Sequence, residues 1–367
     1  MTPPQSRPDR RGRPKEHGHG RPAMTELERR YARWMALFYP ADDRRKRGSE
    51  LVDTYLALAA AGRRRPSPAD LADLAAGGLR RRLRTAPGVG VGFRLAGLLA
   101  LTTTSAFASW WAVLEVLAPV LAPRASWSAQ TGPFLSLGVT AWALWLLAAV
   151  VHAVAPGRWF RRVAVLAVLV TAGVLPAAML TGIFRAPLSV LLPQVVLGVV
   201  ALGASARYRW WVRLAPLAAA ALTVPVAVAT EPRLGFNGDY YPSAVLALPA
   251  AAVTLLIGAT LLALGLAARH DSRGVWALLI LLTPIGILAL NPIGAMLDNA
   301  DPGRPIVPEW SSMAAAGVLV AVVGPALLLL ALAATGRRSA GGRSLPAEAT
   351  HCPTCGAPSN SAQSTKP

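Results

Sequence analysis

The sequence predicts an all-α, polytopic membrane protein: about eight transmembrane helices preceded by a small N-terminal cytoplasmic module of three helices. Three observations predict it. Long apolar stretches follow one another from Leu95 onward, the arginines of the intervening loops fall on alternate sides, and the residues before Leu95 follow an amphipathic helical pattern. A spanning helix needs about 20 mainly apolar residues, because the hydrocarbon core is about 30 Å thick and every backbone amide within it must be satisfied inside the helix.

Residues 1–23 mix Pro, Arg, Gly and His without apolar periodicity, which predicts a disordered basic tail. His17 and His19 are incidental members of that tail rather than metal ligands. A helix-start signal follows Met24, so translation starts at either Met1 or Met24. Residues 24–86 form the helical module. Leu27, Tyr31, Trp34, Met35 and Phe38 recur on one helix face opposite Glu28, Arg29, Arg30 and Arg33, and Tyr39-Pro40 ends the helix. A second helix is carried by Leu51, Val52, Tyr55, Leu56 and Ala59 and broken at Gly62. The third opens at Ser67-Pro68, a cap followed by proline at the first helical position, with Asp70 close behind. About sixty residues is near the lower limit for a self-sufficient core, so the module is expected to lean on the membrane or a partner.

Residues 95–335 hold the spans, placed at Leu95–Pro119, Gly132–Ala155, Val163–Gly182, Pro187–Ala206, Trp210–Thr230, Ser243–Ala268, Gly274–Leu297 and Ser311–Thr335. The prolines inside them mark kinks rather than breaks, since neighbouring helices re-satisfy the freed groups. The second, fourth and sixth connections carry Arg158, Arg161 and Arg162, then Arg207, Arg209 and Arg213, then Arg269 and Arg273. The other four carry one arginine each, Arg124, Arg185, Arg233 and Arg304. Cytoplasmic loops hold the excess of basic residues, which places both termini in the cytoplasm of a cell (inner) membrane. The first apolar run starts too late and is too long for a cleavable signal peptide.

The formal net charge of +19 is therefore mostly topogenic. It points to the anionic inner leaflet as partner, where each basic residue contributes about 1 kcal/mol of attraction, rather than to nucleic acid. Lys15, Lys46 and Lys366 are the only lysines and alanine is abundant, a usage that suggests a GC-rich bacterial genome.

The segment from Leu27 to Leu83 resembles the N-terminal part of a group of uncharacterised actinobacterial multi-pass membrane proteins and, with them, the permease-prefix and HAAS-type signalling modules. The matching positions are Tyr39, Pro40, Arg44, Gly48, Glu50, Leu51, Arg65, Pro66, Ser67 and Pro68. The resemblance covers about a sixth of the chain and implies no established activity. It does imply a cytoplasmic partner, because such modules often occur beside PadR-type regulators.

Few residues in the spans invite chemistry. Glu115 is the one ionisable group at depth, about 20 residues beyond Arg94, and is expected to snorkel to interfacial water or to Arg124, the alternative reading being a proton or cation site. His152 and His270 belong to the cytoplasmic ends, which argues against bundle haem. Asn291-Pro292, with Gly286 and Gly294, predicts a kink in the seventh span, the feature closest to a transporter's broken helix. Trp110, Trp111, Trp142, Trp145, Trp159, Trp210, Trp211 and Trp310 are expected to anchor at the interfaces.

Residues 336–367 form a flexible cytoplasmic tail ending in a Cys-Pro-Thr-Cys-Gly knuckle. Cys352 and Cys355 are candidate zinc ligands, with His351 as a third ligand or a second chain completing a four-thiolate site. A reducible dithiol and a remnant without a role are the other readings. No catalytic or phosphate-binding signature is present, so an ATP-driven role needs a separate ATPase partner. Two function classes follow: a signalling or regulatory membrane protein acting through a cytoplasmic regulator, and a permease-like transport subunit. Neither is an enzyme.

Overall fold

The computed structural model describes residues 25–39, 41–58, 65–85, 88–121, 134, 136–231, 240–298 and 310–341. Among them every regular element is a helix. The chain divides into two compact units, residues 1–82 and 83–367.

The first unit contains α1 (Glu26–Phe38), α2 (Ala41–Leu58) and most of α3 (Pro68–Thr85). Thr25 caps α1 in a reciprocal box with Glu28: its Oγ1 accepts the Glu28 amide and the Glu28 carboxylate accepts the Thr25 amide. Ser67 and Asp70 do the same for α3, at 3.1 and 2.8 Å. The small core is Tyr31, Met35, Val52 and Leu74, with the Tyr31 and Tyr55 rings stacked 3.9 Å apart. Trp34, expected on this buried face, lies at its edge, 40% exposed and stacked on Phe38. An apolar stripe wider than the contact it makes leaves one flank outside.

The second unit contains α4 (Val89–Leu121), α5 (Gly138–Val154), α6 (Arg158–Thr181), α7 (Leu188–Ala201), α8 (Trp210–Arg213), α9 (Ala215–Thr230), α10 (Tyr241–Ala267), α11 (Arg273–Leu288), α12 (Leu290–Leu297) and α13 (Trp310–Gly341). Four helices are long and apolar enough to cross a membrane: Val89–Leu117, Arg158–Thr181, Ser243–Ala267 and Ser311–Ala334. A fifth candidate is the pair α11 and α12, bent by 66°. The apolar helices α5, α7 and α9 are shorter than 18 residues. Pro176, Pro193, Pro225, Pro249, Pro284 and Pro325 lie inside helices, as expected for kinks rather than breaks. The fifth apolar segment is interrupted at Leu214, between α8 and α9.

Helix α4 runs through the core, packed by α5, α7, α9 and α11. The core is built of alanine, leucine and a few large rings, Trp111, Trp142, Trp145, Phe160 and Tyr240, the rings all fully buried. Other leucines and valines point outward: Val165, Leu166 and Leu169 on α6, and Val318, Val322, Leu327 and Leu330 on α13. So large an apolar exterior is incompatible with water but matches hydrocarbon.

Candidate functional site

The tryptophans expected at the interfaces divide between exposed and buried positions. Trp159, Trp210 and Trp211 are exposed, with Arg158 and Arg162 over the Trp159 ring and Arg209 over Trp211. Trp111, Trp142 and Trp145 are interior residues instead. The Trp145 indole donates to Thr171 Oγ1 at 3.0 Å, and Trp142 belongs to a buried polar network around Glu115.

Glu115 does not snorkel. It is fully buried near the end of α4, where the backbone N–H of Ser136 donates to Oε2 at 2.7 Å and the Ser136 hydroxyl donates to Oε1. The Tyr240 hydroxyl donates to the same Oε1 and lies 3.2 Å from Ser136 Oγ. Ser136 Oγ in turn accepts the Gly138 amide at 2.9 Å, and Trp142 Nε1 donates to Tyr240 Oη at 3.4 Å. Burial, and then the adjacent carboxylate, push the Tyr240 phenol well above its ordinary pKa, so it stays a donor. Gly138 is required sterically: a Cβ there would lie 2.9 Å from Ser136 Oγ and 3.0 Å from Glu115 Oε1. One carboxylate thus gathers the end of α4, the start of α5 and the residue preceding α10.

Two further carboxylates repeat the arrangement. Ser243, in the first turn of α10, donates to Glu231 Oε2 at 2.6 Å, and Ser312, in the first turn of α13, donates to Asp298 Oδ2 at 2.8 Å. Each pair ties the end of one apolar helix to the start of a later one. Glu231 follows α9 directly and reads in the sequence as an ordinary loop acid, yet it is fully buried and its Oε1 has no hydrogen-bond partner. Its signal is positional: an acid abutting one apolar run, with a serine opening the next.

The remaining sequence candidates do not join this network. His152 is buried edge-on against Phe160 with neither ring nitrogen hydrogen-bonded, and His270 is an exposed turn residue with φ 57°. Asn291 and Pro292 fall in the first turn of α12, immediately after the bend at Ala289, so the kink is present and both halves remain helical. His351, Cys352 and Cys355 lie outside the described residues, as do the 1–23 tail, Arg124, Arg233 and Arg304. No group of three or more His, Cys, Asp or Glu able to hold a metal occurs among the described residues. No family model, curated protein or solved structure matches this chain.

Proposed function

We propose that the chain is an eight-span protein of the cell membrane with both termini in the cytoplasm, and that it is a signalling or regulatory protein acting through a cytoplasmic partner. Eight spans follow if α5, α7 and α9, together with the bent pair, cross beside the four long helices. Bilayer thinning and snorkelling of flanking residues accommodate short helices at a fraction of a kcal/mol per Å. The alternating arginines supply the orientation.

The observation that carries the signalling reading is the junction of α3 and α4: only three residues separate a capped helix of the N-terminal unit from the helix at the centre of the apolar bundle. The likeness of the N-terminal segment to HAAS-type modules supports the same reading. The 66° bend between α11 and α12 favours the alternative, a permease-like subunit, since broken helices build transporter sites.

Complementation of a gene-deletion strain separates the two. A chain lacking residues 24–86 but still inserted should fail to restore the transcriptional profile that the full chain restores. Full restoration by the truncated chain would overturn the regulatory reading, and a solute-uptake or efflux defect cured by both chains would establish the transport one. Reporter fusions after Arg94 and after Arg343 should both score cytoplasmic; a periplasmic score from either would overturn the topology.

A further inference from the structure

Glu231 is held differently from Glu115. Ser243 serves one of its carboxylate oxygens, while Oε1 is buried and accepts nothing. Beside it, from α4, stands the Trp110 indole, close enough to favour the ionised carboxylate; its Nε1–H is also buried without an acceptor. A donor and an acceptor left open side by side mark a hydrogen bond that one protonation state forms and the other forbids. Ionised Oε1 offers Trp110 a lone pair; protonated Oε1 turns a hydrogen toward it.

We propose that Glu231 is a proton-binding site whose occupancy decides whether α4 is hydrogen-bonded to the end of α9. The proton comes from solvent hydronium and bonds to Oε1, which then cannot accept from Trp110 Nε1–H, and the Ser243 bond to Oε2 remains; the ionised form can accept from both. Nothing is oxidised or reduced. The proposal deepens the signalling reading, on which it rests only for the use made of the proton: an acid signal would reach the core helix through Trp110.

The surroundings favour a neutral resting state. Among the elements packed on α9, α4 contributes Arg94 and Glu115, α5 His152 and α8 Arg213, and Tyr240 precedes α10, whose Ser243 holds Glu231; α9 itself carries no charge. Burial pushes the Glu231 carboxyl above the ordinary range, and the Ser243 hydroxyl and the nearby Trp110 indole oppose that shift. With the folded value raised, the stabilisation is complete below the ordinary carboxyl range and is lost as pH rises through the folded value.

The test is thermal unfolding of the purified full chain in lipid nanodiscs at about pH 4.5 and about pH 8. The wild type should lose about 3 °C of Tm on going to the higher pH, and Glu231→Gln should remove that loss. Trp110→Phe should be neutral at the lower pH and lower Tm at the higher pH, and on the Glu231→Gln background its effect should be the same at both. A Trp110→Phe effect independent of pH in the wild-type background, or an unchanged pH dependence in Glu231→Gln, would overturn the proposal. If Glu231→Gln yields no folded chain, the pH dependence of Trp110→Phe alone decides. None of these outcomes depends on whether the protein signals.

Discussion

In the N-terminal unit the buried residues are Tyr31, Met35, Val52 and Leu74, while Arg29, Arg33, Arg45, Lys46, Arg47, Glu50 and Asp53 are exposed. In the second unit the buried set is rich in alanine, with leucine, tryptophan and the polar Glu115, Glu231, Gln194 and His152, and the large exposed side chains are mostly leucine and valine. Each unit turns outward what its solvent accepts. In water, burying apolar surface drives folding. In lipid that drive is absent between helices, so small residues that allow close packing and hydrogen bonds between polar side chains take its place. The polar groups inside the bundle are therefore as structural as the rings inside the first unit.

The strongest way to break this comparison is to make the bundle interior apolar. Glu115→Leu raises hydropathy and would look harmless in a membrane protein. It leaves the Ser136 amide, the Ser136 hydroxyl and the Tyr240 hydroxyl without their acceptor, at about 1–3 kcal/mol for each buried unsatisfied group. We expect a loss of about 4 kcal/mol, read as a lower unfolding midpoint and a smaller monodisperse fraction in detergent. An unchanged midpoint would mean that the ends of α4, α5 and α10 are held by packing alone.

The outer surface gives the second test. Val322 is 60% exposed on α13, where a charge in water would change stability by no more than about 0.5 kcal/mol. At the centre of a spanning helix the same charge costs about 2.5–3.5 kcal/mol, so Val322→Asp should sharply reduce membrane insertion in a glycosylation or fractionation assay. Normal insertion and stability would show that this face of α13 meets water or a partner.

What the sequence made legible was local. The capped starts of α1 and α3 rest on Thr25 with Glu28 and on Ser67 with Asp70, residues three apart. The apolar runs and their prolines are likewise read within one helix. The Glu115 network was not legible, because its partners lie 21 and 125 residues away, and only packing shows that the indoles of Trp111 and Trp142 face inward rather than sitting at an interface. Glu231 was missed for a related reason: an acid one residue past an apolar run reads as loop until Ser243 folds over it. In the first unit the helical period gave the stripe but not its centre, since residues Trp34 and Met35 sit on either flank of the same arc and tertiary contact chooses Met35.

That last choice yields the smallest and sharpest test. Tyr31 is 8% exposed and stacks on Tyr55, so Tyr31→Ala should cost about 3 kcal/mol, comparable to the whole stability of so small a core. Trp34 has the larger ring but keeps 40% of its surface exposed and touches Phe38 at a centroid distance of 6.0 Å, so Trp34→Ala should cost only about 1 kcal/mol. Hydrogen exchange of α1 to α3 in the full chain separates them: Tyr31→Ala should release the protection of all three helices, and Trp34→Ala should leave α2 and α3 protected while the bundle is unaffected in both. Equal loss from the two variants would move the centre of the buried face to Trp34. That result would require α1 to turn about its axis toward Trp34, which three steps of about 100° place about 60° from Tyr31 around the helix.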